Sequence, residues 1–192
     1  MTRSMMRVIQ MTAAGVTEAL QLHNIAVAPL PSSQHIRIKL SADAINPIDA
    51  KLRSKPTYFP DITRAILGRD GANVEQTVSA DVTRFAARDE VYSCNGGIGD
   101  EPCSYAEDTT LHEEYAVHKP VTFSMAENAV LPLVLIMVWE TLLERAHLHA
   151  RQTVLMHAGA GGARHITIQI ALHFEAHVAV TVSDGATLVT DD

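Results

Sequence analysis

The segment TVLMHAGAGGARHITIQIALHF, residues 153–174, constrains this chain more than any other stretch. Apolar residues from Val154 to Met156 climb to a corner of small residues, Gly159, Ala160, Gly161, Gly162 and Ala163, and an amphipathic run follows. Ala163, Ile166, Ile170, Ala171 and Phe174 recur at helical spacing, and HVAVTV (177–182) reads as a second apolar strand. Strand, corner, helix, strand is a βαβ unit, whose strands run parallel through a right-handed crossover. The first of them, TVLMHA (153–158), reads as buried.

A glycine-rich turn before a helix suits a diphosphate for three reasons. Its N–H groups are free, the helix terminus is positive, and missing side chains allow close approach. Gly159 and Gly161 fill the first two places of G-x-G-x-x-G, with the expected strand and helix on either side. The sixth place holds Arg164. A large side chain there either strains or displaces the helix start, at about 1–3 kcal/mol, or turns outward to grip a phosphate bidentately. Asp184 lies where an acidic residue would accept hydrogen bonds from an adenosine ribose and favour NAD; equally, it starts the turn SDG.

The first 120 residues read as β-rich. In HIRIKLSADAI (35–45), Ile36, Ile38, Leu40, Ala42 and Ala44 share one face, and His35, Arg37, Lys39, Ser41 and Asp43 the other. RVIQM (7–11), LQLHNIAV (20–27), NVEQTV (73–78), EVYSC (90–94) and EEYAVH (113–118) are further strand candidates, and a small barrel is the economical reading. Near residue 124 the character changes. Ser124 and Glu127 have capping-box spacing, and Pro132 opens a helix that is apolar all round from Leu133 to Trp139, so it should be buried.

Composition excludes some classes. A net charge of −7 with scattered Lys and Arg argues against a nucleic-acid or anionic-membrane surface. Two cysteines, Cys94 and Cys103, are too few for a disulfide framework and suit a reducing cytoplasm. The N-terminus lacks a signal-peptide core, and the longest apolar run (129–139) is too short to span a bilayer. The expectation is a cytoplasmic protein without nucleic-acid or membrane partners.

INPIDAKLRS (45–54), LGRDGA (67–72), VTRFAARDEVY (82–92), LPLVLIMVWETLLERAHL (131–148) and QTVLMHAGAGGARHITIQIA (152–171) together resemble the zinc-free medium-chain dehydrogenase/reductases, in their quinone oxidoreductase branch. The resemblance implies an α/β chain: a GroES-like barrel domain over 1–123, then a partial Rossmann (βαβ) cofactor domain over 124–192. It implies NADPH, with NADH as the alternative, and hydride transfer to a quinone or an α,β-unsaturated carbonyl. Zinc-dependent relatives carry a cysteine at the place of Asn46 and Gly-His-Glu at the place of Gly68-Arg69-Asp70, so no metal is expected here. In similar enzymes the place of Asn46 lies beside the nicotinamide, where an amide donates to developing negative charge; the plain reading is a turn residue before Pro47. Tyr58 falls near a cleft tyrosine of such enzymes, or is a surface aromatic. The backbone of Ala160, Gly161, Gly162 and Ala163 would face the diphosphate, and Ser183 the ribose or its 2′-phosphate.

Against the family pattern, glycines are replaced at Asn73, Ser79, Arg88, Arg164 and Glu175. Arg or Glu in left-handed backbone costs about 1–2 kcal/mol, and Glu175 falls where glycine normally caps a helix. The family's dinucleotide domain has two βαβαβ halves, whereas this sequence supplies about two strands. Two hypotheses follow: a truncated NAD(P)H-dependent reductase with impaired activity, or an inactive remnant serving as a binding or dimerisation module. Members of the family commonly dimerise through the Rossmann edge.

Overall fold

The period-two run becomes strand β3 (His35–Asp43), preceded by the hairpin of β1 (Met5–Met11) and β2 (Leu20–Ala26). The computed structural model describes residues 4–55, 65–95, 103–157 and 161–181. Helix α1 (Pro47–Ser54) follows β3, and then come β4 (Asp70–Val78), β5 (Glu90–Cys94), β6 (Asp108–His112) and β7 (Ala116–His118). These strands form an antiparallel five-stranded sheet in the order β6-β3-β4-β5-β7. Ile36, Ile38, Val91, Leu111 and Ala116 are fully buried and pack with Phe85. The alternation thus places its apolar face where expected, although His35 on the other face is buried as well.

Two readings change here. Strand β6 was not expected, and EEYAVH divides into a 3-10 turn (Glu113–Tyr115) and β7. The buried Glu113 carboxylate accepts from the Thr83 and Arg84 N–H groups, both at 3.3 Å. Glu113 N–H donates to Gln34 O at 3.0 Å, one step beyond the last β3–β6 pair, before the turn begins.

Helix α2 (Met125–Ala129) opens with the expected reciprocal cap: Ser124 N–H donates to Glu127 Oε2 at 2.8 Å, and Glu127 N–H donates to Ser124 Oγ at 3.3 Å. It packs on β3, β4 and β5. Segment 124–132 therefore lies with the sheet, and the chain divides into compact units Met1–Pro132 and Leu133–Asp192.

In the second unit, α3 (Pro132–Trp139) runs into a π-turn (Glu140–Arg145). Strand β8 (Thr153–His157), helix α4 (Gly162–His173) and strand β9 (His177–Thr181) then form the βαβ unit, with β8 and β9 parallel as expected. The core joins Val138, Leu142, Leu148, Ala171 and Ala176, flanked by Ile166, Ile170, Val154 and Val178. It covers one side only. Ile136, Met137 and Trp139 of α3 are 54%, 49% and 50% exposed, and Leu155 of β8 is 58% exposed, so neither element is enclosed as its apolar sequence suggested. The residues of β8 and β9 alternate between half-buried and exposed, because among the described residues only one sheet face meets helices.

Of the replaced glycines, Arg88 (φ 82°) and Glu175 (φ 56°) hold left-handed backbone; Asn73, Ser79 and Arg164 do not. Glu175 closes α4: its N–H donates to Leu172 O at 2.9 Å, and Ala176 N–H donates to Ala171 O at 3.0 Å. That pair of bonds is the Schellman arrangement, which favours glycine at the position Glu175 occupies. Glu175→Gly should raise stability by about 1 kcal/mol, since it relieves left-handed strain and removes a negative charge from the helix C-terminus. For a chain of this size that is a gain of about 3 °C in Tm. An unchanged or lowered melting temperature would contradict this account of the cap.

Candidate functional site

The first unit gathers its polar chemistry around Asn46. Pro47 begins α1, leaving Asn46 as the N-cap residue in extended backbone (φ −110°, ψ 153°). Asn46 N–H donates to Asp49 Oδ2 at 2.7 Å, and Asp49 N–H donates to Asn46 O at 2.9 Å. The Asn46 side chain, 8% exposed, donates from Nδ2 to Asp70 Oδ2 at 2.8 Å. Asn46 is therefore more than a turn residue: its amide is buried and oriented.

Residues from several elements complete the surroundings. Tyr105 OH donates to Asp49 Oδ2 at 3.1 Å, and Gly68 N–H donates to Asp49 Oδ1 at 3.3 Å. Gly68 holds φ +91°, and a Cβ there would lie 2.4 Å from Ser104 Oγ, so only glycine fits this approach. Burial, and then Asp49, pushes the Tyr105 hydroxyl well above its ordinary pKa. Burial followed by the charge of Asp70 pushes the Cys94 thiol up to about 12, so it stays protonated. Asp43 Oδ1 accepts from Ser104 Oγ at 2.8 Å and from Ala44 N–H at 2.7 Å. Removal of that carboxyl from water, with Asp49 and Asp70 adding repulsion against the two donors, lifts Asp43 to about 7, although the residue as a whole keeps solvent contact.

Asp43, Asp49, Ser104 and Tyr105 were not among the site residues singled out from sequence, and Asp70 and Cys94 entered only as the place of a metal-site motif and as a free cysteine. Asp49 had a local signal, since Asn46 and Asp49 stand at capping-box spacing. Asp70 had only its place in Gly68-Arg69-Asp70 and Tyr105 had none, because their partners lie 24 and 56 positions away.

The positions that bind zinc in relatives do not suit a metal here. Asn46 offers an amide already engaged with Asp70, and Arg69 is a buried cation. Among the described residues no group of three His, Cys, Asp or Glu could hold a metal ion.

In the second unit, Gly161 is the N-cap of α4 (φ −82°, ψ 152°), and Gly162 and Ala163 begin the helix. Among the described residues no side chain caps this terminus, and its first turn holds no acidic residue. The first N–H groups of a helix have no intrahelical partner, so this end is open to an anion. A Cβ on Gly161 would lie 2.8 Å from Arg164 Nη1, whereas one on Gly162 would meet nothing within 4 Å. Arg164 thus folds its guanidinium back over Gly161 without displacing the helix start. It is exposed, and among the described residues it has no hydrogen-bond or ion-pair partner. Tyr58, Gly159, Ala160, Ser183 and Asp184 lie outside the described residues.

No family model matches the chain. Relatives are found nonetheless. Over 95% of its length the chain is 33% identical to 2-methylene-furan-3-one reductase of Solanum lycopersicum, covering 48% of that protein. It is 27% identical to the quinone oxidoreductase of Mus musculus over 88% of its length, covering 50% of the relative. Its fold matches the quinone oxidoreductase structure from Coxiella burnetii with a TM-score of 0.82 and 28% identity, covering 94% of this chain and 57% of that one. The chain spans about half the length of the curated relatives it matches.

The carboxyl cluster makes stability depend on pH. An unfolded aspartate titrates near 3.9, and folded Asp43 near 7, so between these values the folded state holds the extra proton. Its contribution is complete below about pH 4 and is lost as pH rises through about 7. Asp43→Asn keeps an acceptor for Ser104 without the charge. Urea unfolding at pH 4.5 and 7.5 should therefore show the variant gaining on the wild type at the higher pH, whereas a difference independent of pH would refute the assignment. With a β-rich unit carrying Asn46 at the place of a metal ligand, a glycine corner on a βαβ unit, and relatives that agree in sequence and in fold, the chain is similar along nearly its whole length to the zinc-free, quinone oxidoreductase-like medium-chain dehydrogenase/reductases.

Proposed function

We propose that this chain carries the barrel and the first cofactor-binding strands of an NAD(P)H-dependent reductase acting on a quinone or an α,β-unsaturated carbonyl. The observation that carries the reading is the start of α4, where two glycines and a guanidinium, with no side-chain cap or partner among the described residues, concentrate positive potential. A diphosphate would lie against the backbone of Gly159, Ala160, Gly161, Gly162 and Ala163, with Ser183 toward the ribose. The nicotinamide would supply the hydride. The residues of this chain would do the rest: Asn46 would donate to the acceptor oxygen as negative charge grows there, and Tyr58 would line the acceptor cleft. NADPH is the cofactor favoured by the resemblance, with NADH as the alternative. Cytoplasmic residence and a homodimer belong to the same reading; no helix among the described residues is long and apolar enough to cross a membrane.

A second reading, an inactive remnant acting as a binding or dimerisation module, draws on the exposed apolar side of the second unit, with Leu155 at 58% and Ile136 at 54% exposure. Cofactor titration separates the two. The wild-type chain should quench and bind NADPH, and Arg164→Ala should weaken that binding about tenfold, the loss of one charge-assisted phosphate contact. The variant's affinity should also depend less on salt. Tighter binding by Arg164→Ala would mean that the guanidinium obstructs the turn. Failure of both dinucleotides to bind, together with self-association on size-exclusion chromatography, would favour the module.

A further inference from the structure

Asn46 is held at two levels, and the second has a consequence for the donor that the proposed function requires. The two backbone bonds with Asp49, at 2.7 and 2.9 Å, fix where the residue sits. The capping box also turns the side-chain oxygen of Asn46 toward the Asp49 N–H, but no cap hydrogen bond closes there, so this contact by itself holds the amide weakly. An asparagine amide is nearly symmetric in shape, and its ends differ only in that one donates and the other accepts. A half-turn about its last torsion would present a carbonyl oxygen to a reacting oxygen and repel the charge it should stabilise.

Asp70 removes that freedom. It opens β4, is fully buried, and stands opposite Cys94 in the β4–β5 register. Its Oδ2 receives the Asn46 Nδ2 at 2.8 Å, and the Cys94 thiol bonds the same carboxyl. A carboxylate accepts and does not donate, so only the nitrogen end of Asn46 can face it. We infer that Asp70 is a positioning residue: by engaging one N–H of the Asn46 amide, it commits the second N–H to the acceptor oxygen of the substrate. The inference rests on the reading of Asn46 as the reaction's donor.

Asp70→Asn is the informative variant. It keeps the shape of the side chain, but its own amide can accept or donate and so allows Asn46 to turn over. In the full chain, with NADPH and 1,4-benzoquinone, kcat should fall at least about tenfold, within the range seen when a transition-state donor is lost. The Kd for NADPH and the KM for the quinone should stay within about twofold, because neither depends on a contact made only as charge develops. In an Asn46→Ala background, Asp70→Asn should change kcat by less than about twofold, since Asp70 acts only through Asn46. A merely structural Asp70 would lower kcat by the same factor in both backgrounds. A readout free of turnover accompanies these: the side-chain NH2 signals of Asn46 in a nitrogen-correlated NMR spectrum should shift and broaden in Asp70→Asn as the amide gains its second orientation.

Unchanged turnover in Asp70→Asn, an equal loss with and without Asn46, or unmoved Asn46 amide signals would each overturn the role of Asp70 while leaving the proposed function standing. A wild-type chain that binds neither dinucleotide and reduces no quinone would overturn the proposed function and this inference together.

Discussion

The register of β3, β4 and β5 is the constraint on which the first unit depends. Ile36 and Ile38 are fully buried against Val91, Leu111 and Ala116. A slip of one residue would exchange them for Arg37 and Lys39, which no such core accepts. The same register assembles the polar cluster. Neighbouring strands are antiparallel, so the C-terminus of β3, the N-terminus of β4 and the C-terminus of β5 share one end of the sheet. There Asp43 stands opposite Gly71 and Asp70 opposite Cys94, while the chain leaving β3 reaches Asn46 just before α1. Apolar packing along the strands therefore sets the 2.8 Å contact between Asn46 and Asp70. The chemistry of this unit is a by-product of where its isoleucines must go.

Features with a local cause were legible in the sequence. The β3 alternation, the Ser124–Glu127 cap, the opening of α3 by Pro132 and the parallel βαβ unit each depend on residues a few positions apart. Strand β6 was hidden because DTTLH carries one strong hydrophobe, Leu111, and buries Thr109 and Thr110 beside it. The exposure of Leu155 and Trp139 was also hidden, since apolar composition says that a surface seeks cover and not whether cover is present. Within the candidate site, Asn46 and the glycines could be found by type and order. The carboxylates that hold Asn46 and surround it could not, except for Asp49, because pairing across the sheet leaves no mark at short range.

The replaced glycines weigh less than their number suggests. A glycine position matters for backbone strain only where φ is positive, and Asn73, Ser79 and Arg164 have ordinary backbone here. Ser79 Oγ donates to Ser32 O at 3.0 Å, and Asn73 Nδ2 donates to Ser93 Oγ at 3.2 Å, although the buried Asn73 Oδ1 finds no partner among the described residues. Among the replaced glycines, the strain sits at Arg88, in a turn of the first unit, and at Glu175, at the opposite end of α4 from its glycine start.

Arg164 is the departure at that glycine start, and its geometry decides what kind of change it is. A third glycine would serve close contact between helix and strand. Here α4 begins at Gly162 with Gly161 as its cap, so the helix forms without that contact being tightened. The arginine stem leads outward, and the guanidinium returns over Gly161. An exposed side chain of this length, with no partner among the described residues, can move at little energetic cost. A diphosphate arriving at the turn would meet a mobile cation added to the positive end of a helix. That combination strengthens attraction at a distance and adds a donor fork at contact. On the proposed function, the substitution would therefore change how a diphosphate is received at this corner.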